Sequence, residues 1–176
     1  MSIDQLLAAA DEVLEQGEAL LTGLSDIQYA HAGTDGISIG AHYRHSLEHF
    51  KILFEAVNDG HVDYDQRKRD LGLETQRLLA LKTTRDFRQA ARFLSTLAPE
   101  RPIEARCRIS YSSPLSCAAP STIGREIMFA VSHAIHHHAL IAMICGPRGI
   151  AVPGDFGIAP STLAHRRENS ATRRFA

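Results

Sequence analysis

The sequence has no tryptophan, only three cysteines, and no surplus of charge of either sign. Each shortage excludes something. Cys107, Cys117 and Cys145 are odd in number and form no CxxC pair. Neither a disulfide framework nor a cysteine-built zinc finger is therefore expected, and reduced thiols in the cytoplasm are. With 19 Lys and Arg against 20 Asp and Glu, the net charge is −1. That leaves no basic field for nucleic acid or an anionic membrane surface. No apolar run approaches the roughly 20 residues needed to span a bilayer. The opening "MSIDQLLAAADEVLEQG" carries acids early and lacks the basic start of a signal peptide. These features predict a cytoplasmic protein with neither a nucleic-acid nor a membrane partner. The basic end "HRRENSATRRFA" reads as a solvated terminus.

What is present is a chain of 176 residues, 44% apolar, which is enough for one domain with a real core. Residues 3–24 carry an apolar stripe at helical spacing, with Glu12, Glu15 and Glu18 outside it. "SDIQYAHAGTDG" (25–36) reads as a loop. Ser38 is placed to cap a second helix, about 38–59, with Gly60 behind its end. Residues 61–83 read as a partly helical connection interrupted by Gly72, and Thr84 as the cap of a third helix running to Leu97. "IEARCRISY" (103–111) alternates apolar and polar with the period of a strand. "SSP" then turns it back along "LSCAA", which sets Cys107 and Cys117 symmetrically about residue 112. Ser121 or Thr122 caps the last long helix, about 122–145, which stops at Gly146-Pro147. The pattern predicts an all-α four-helix bundle over 1–150, with a small β-hairpin inserted before the last helix and a tail over 151–176.

Seven of the ten histidines fall in two short stretches, "GAHYRHSLEHF" (40–50) and "VSHAIHHHAL" (131–140). In the last helix His133 and His137 are four residues apart. They therefore lie on one face one turn apart, together with Ala130, Leu140, Ile141 and Ile144. His136 and His138 point elsewhere. Imidazoles at this spacing can reach a single ion, as in HExxH zinc sites. His42, His45 and His49 share a narrow arc of the second helix, continued inward by Ile52, Leu53 and Ala56. One of these three with the facing pair gives three nitrogen ligands, and spacing does not choose among them. Three ligands leave a coordination position open for water or substrate, whereas a fourth, such as His49, closes the site. The bland alternative is a set of hydrogen-bonded core histidines, but burying several imidazoles without partners costs roughly 1–3 kcal/mol each. A ferritin-like di-iron site is excluded because the Glu-x-x-His motifs are missing. Two further features have both a functional and an ordinary reading. "DYDQRKRD" offers Arg67 and Arg69 as an anion clamp, or a solvated network with an Asp65–Arg69 pair. Glu48 and Glu126 either orient ligand imidazoles from behind or are surface acids near helix ends.

The stretches "SIGAHYRHSLEHF", "VDYDQRKRD", "STIGREIMFAVSHAIHHHALI" and "FGIAPST" together resemble the DinB/YfiT-like superfamily of metalloenzymes, over residues 38–162. The resemblance implies a four-helix bundle in up-down-down-up order, with a crossover supplied by 61–83, and a homodimer. It implies zinc or nickel held by His45, His133 and His137, and the choice of His45 over His42 and His49 rests on it. Relatives in that superfamily include thiol-dependent S-transferases and isomerases. The implied chemistry is therefore Lewis-acid activation of a low-molecular-weight thiol against a small electrophilic substrate.

Overall fold

The computed structural model describes residues 2–33 and 36–172. Thr34 and Asp35 of the expected 25–36 loop, and residues 173–176 of the expected tail, lie outside the described residues. The chain is mainly helical with one small sheet. Its elements are α1 (Ile3–Gly23), α2 (Asp26–Ala30), α3 (Ile39–Ala56), β1 (His61–Asp63), α4 (Leu71–Thr75), α5 (Arg77–Ala91), β2 (Pro102–Cys107), β3 (Cys117–Thr122), α6 (Ile123–Cys145) and α7 (Pro160–Thr172).

The long helices begin where side-chain oxygens meet unpaired backbone N–H groups. Ser2 and Gln5 form a reciprocal capping box on α1. The Ser38 hydroxyl accepts from the Ala41 N–H at 2.9 Å, and Thr122 accepts from Arg125 at 3.2 Å. A second capping box, Ser25 with Gln28, nucleates α2 inside the stretch expected to be a loop. The apolar stripe of α1 (Leu6, Ala10, Val13, Leu14, Leu20, Leu21) is buried against α5 and α6, and α3 packs on α6, α5 and α4. Where α4 crosses the start of α3, Gly40 is required: a Cβ there would run into the Glu74 carbonyl.

Four further details depart from the sequence reading. Helix α5 begins at Arg77, not at Thr84. Thr84 lies in its interior, and its buried hydroxyl donates to the Ala80 carbonyl and meets the Tyr43 hydroxyl at 2.8 Å, so a residue type that suits a cap serves a buried hydrogen bond instead. Phe93, expected on the apolar face, is 82% exposed because the helix tightens to a 3₁₀ turn over Arg92–Thr96, which rotates it outward. The hairpin of β2 and β3 is present, with Cys107 opposite Cys117. It gains β1 as a parallel neighbour, His61 pairing with Glu104.

The fourth departure is past residue 150, where the chain carries α7 rather than an irregular tail, and Phe156 is buried against His138 with ring centroids 4.3 Å apart. Gly157, at φ +72°, lets this loop lie directly on α6, where any Cβ would collide with the Ala139 backbone. Measured over the whole helix rather than run by run, α6 with its continuation to Arg148 is long and apolar enough to cross a membrane. Here it packs against α1 and α3 and carries four histidines.

The docking of Phe156 makes a prediction. Phe156→Ala lowers unfolding stability by about 3 kcal/mol, the scale of a buried aromatic truncation, measured by urea denaturation. A loss within 0.5 kcal/mol would mean that the segment does not hold to α6.

Candidate metal centre

Helices α3 and α6 pack side by side, and this brings the two histidine stretches face to face. The His45 ring lies 4.6 Å from His137 and 5.0 Å from His133 between centroids, and His133 lies 4.6 Å from His137. The three site residues expected from sequence and resemblance therefore stand together. His49 joins them, 3.9 Å from His133 and 4.8 Å from His45. The three residues whose ligating nitrogens all lie within 4.8 Å of one another are His45, His49 and His133. His137 stands beside this trio with its Nδ1 3.0 Å from the Nδ1 of His42.

Hydrogen bonds constrain the tautomers. The His49 Nδ1 is 2.8 Å from the His45 carbonyl, which only accepts, so Nδ1 carries the proton and Nε2 the lone pair. That lone pair accepts from Nη1 of Arg67 at 3.0 Å. Between His42 and His137 one Nδ1 must donate to the other. If His137 donates, its Nε2 lone pair is available to an ion, the arrangement in which an outer partner orients a ligand imidazole. The Nε2 of His133 is buried and has no hydrogen-bond partner.

All four rings are held neutral, mainly by burial. His45 is pushed down to about 2 by burial and then by the charge of Arg67. Burial also brings His49 to about 3, against the opposing hydrogen bond to the His45 carbonyl. His133 falls to about 4 through burial and the neighbouring His136, and His137 to about 3 through burial and His133. Neutral imidazoles keep the lone pairs that a metal takes. The donor set fits a divalent ion that favours nitrogen, such as zinc or nickel. The unpartnered Nε2 of His133 is the atom that most needs one.

The surrounding shell held surprises for the sequence reading. Glu48 and Glu126 are buried, not surface acids, yet neither is hydrogen-bonded to a cluster histidine. Glu48 binds Arg44 and accepts the Asp70 N–H, while Glu126 accepts from the Tyr64 and Ser121 hydroxyls and from Arg125. Tyr64 then stacks on His49, 5.3 Å between centroids, so Glu126 reaches the cluster only through it. Tyr64 and Phe129, the latter stacked on His133 at 5.7 Å, were not singled out in the sequence. Phe129 has the spacing of any core residue of α6, and Tyr64 is hidden in the polar stretch "DYDQRKRD". The expected Asp65–Arg69 pair does not form. Residues 64–70 are not helical, Arg69 adopts φ +50°, and Asp65 accepts from the Ser116 hydroxyl. His136 is exposed as expected. His138 also lies off the cluster, but it is buried between Tyr43 and Phe156, because the 150s loop covers that side of α6.

No family model matches the chain, and no solved structure matches it. Among curated proteins, "FK506-binding protein 5" of Rhizopus delemar is 34% identical over 104 residues, which is 59% of this chain and 27% of that protein. The chain thus spans about a quarter of the length of the curated relative it matches.

His138 supplies a pH prediction. Its Nδ1 has no partner, and burial lowers its pKa to about 3, below the ~6.5 of an exposed histidine. The folded protein therefore excludes a proton that the unfolded chain binds. The stability this residue contributes is present above pH 6.5 and is lost as the pH falls toward 3. His138→Phe keeps the stack and removes that loss. Between pH 7.5 and 5.0 the variant should lose about 2 kcal/mol less than the wild type in urea denaturation. Equal losses would contradict the buried neutral imidazole.

Proposed function

We propose that the chain holds one divalent metal ion through His45, His133 and His137, and that it is a DinB/YfiT-like four-helix bundle in up-down-down-up order. The observation that carries the metal site is the convergence of neutral imidazoles from α3 and α6 around an unpartnered buried nitrogen, His133 Nε2. Two arguments favour His137 over His49 as third ligand. The lone pair of His49 is taken up by Arg67, and His137 has His42 behind it as an orienting partner. For the bundle, the support is that α1, α3, α5 and α6 pack on one another, with β1 and α4 in the crossover between α3 and α5.

An ion in such a site supplies Lewis acidity, which lowers the pKa of a thiol near it. The protein's own residues set the rest. His42 orients His137, Tyr64 and Phe129 wall the imidazoles on one side, and burial keeps the rings unprotonated at neutral pH. With an open fourth position, the reading is a zinc- or nickel-dependent enzyme that joins a low-molecular-weight thiol to a small electrophile, or isomerises it. It would act as a cytoplasmic homodimer. The thiol chemistry and the dimer rest on the family resemblance. FK506 binding, in the name of the curated relative, is not carried over, because the match spans only 27% of that protein. A second reading is favoured by the tight grouping of His45, His49 and His133: four imidazole ligands would make a closed site in a non-catalytic metal-binding protein.

Metal content decides between them, measured on protein purified without a nickel column. His45→Ala, His133→Ala and His137→Ala should each lose stoichiometric binding, whereas His49→Ala and the exposed His136→Ala should retain it. Loss in both His137→Ala and His49→Ala would select the closed four-imidazole site, and retention in His137→Ala with loss in His49→Ala would put His49 in the place of His137. Absence of binding by the wild type would end the metal reading. For the enzyme, a thiol conjugation assay with chlorodinitrobenzene should show a rate that depends on His45.

A further inference from the structure

Arg67 is the guanidinium that reaches the histidine cluster, and its situation differs from that of three other half-buried arginines. Arg44, Arg77 and Arg88 each sit on carboxylates. Arg67 is half-buried and, among the described residues, donates only to His49 and has a buried Nε with no partner. Among the described residues no carboxylate lies within ion-pair distance of it. The acids that could serve are bound elsewhere: Glu48 by Arg44 and the Asp70 N–H, Glu126 by Tyr64, Ser121 and Arg125, and Asp65 by Ser116. A charge withdrawn from water without a counter-ion is costly. Burial accordingly lowers the Arg67 pKa, with Glu48 only partly opposing it. The neutral rings beside it offer no negative charge, and a divalent ion would add two more positive ones.

We propose that Arg67 is an anion-binding residue of this site, and that the ligand the site takes carries a carboxylate, seated on the guanidinium at the edge of the imidazole cluster. A carboxylate matches a guanidinium in shape and offers two acceptor oxygens. Half-burial strengthens the pairing, because water screens it less. The metal reading adds to the positive charge of the site and so supports the inference. The pairing with Arg67 does not require the ion, so the two can fail separately.

The test uses the full chain without metal, titrated with acetate and, as the uncharged analogue of the same shape, acetamide. Binding is followed by the imidazole ring resonances of His49 and His133. Acetate should shift them saturably and acetamide should not. Arg67→Met should weaken acetate binding at least tenfold, and Arg67→Lys, which keeps the charge without the planar fork, should fall between. Circular dichroism checks that each variant is folded, and if Arg67→Met is not, Arg67→Gln takes its place. Equal acetate affinity with and without Arg67, equal response to acetamide, or no saturable shift in the wild type would each overturn the proposal. Acetate binding that depends on Arg67 in a protein that takes up no metal would leave this inference standing and remove the metal site.

Discussion

The packing of α3 on α6 is the contact on which the rest depends, because it forces imidazoles from two helices into one partly dehydrated space. A hydrocarbon interface would gain from the same burial without penalty. Here four rings give up water; His137 recovers part of its hydrogen bonding from His42, and His49 from a backbone carbonyl and from Arg67. His133 recovers nothing at Nε2. The interface is therefore suboptimal as a core and well suited to an ion.

Charge is arranged around this space with the acids turned away. Glu48 and Glu126 are each buried in their own hydrogen-bond sets, one fixing the 70s segment to α3 and the other fixing Tyr64 and the end of β3 to α6. Their role is to hold the walls. Because they are neutralised there, the cluster itself has only neutral and positive groups, and that asymmetry is the basis for expecting an anionic ligand.

Much of this was legible in sequence because it follows from periodicity. Steps of three and four residues put His42, His45 and His49 on one arc and His133 with His137 on another, and the caps at Ser38 and Thr122 fixed the phase of both helices. The turn at "SSP" gave the hairpin register, Cys107 against Cys117, although the strand expected to Tyr111 stops at Cys107. What escaped depends on tertiary contact. Thr84 looks like a cap until Tyr43 is placed against it, and His138 looks outward until Phe156 covers it. Neither partner is near in sequence. The share of His49 in the cluster was visible as an alternative, but its claim against His137 turns on where Arg67 points, which no spacing rule gives.

One ion held by imidazoles from both helices is an arrangement with its own spectroscopic signature. X-ray absorption at the metal edge, on protein loaded with one equivalent of zinc, tests it most directly. The expected spectrum has three imidazole nitrogens in the inner shell, with the outer-ring scattering that imidazoles produce, and one further light atom. A shell of oxygens with no imidazole signature, or with a single imidazole, would contradict it.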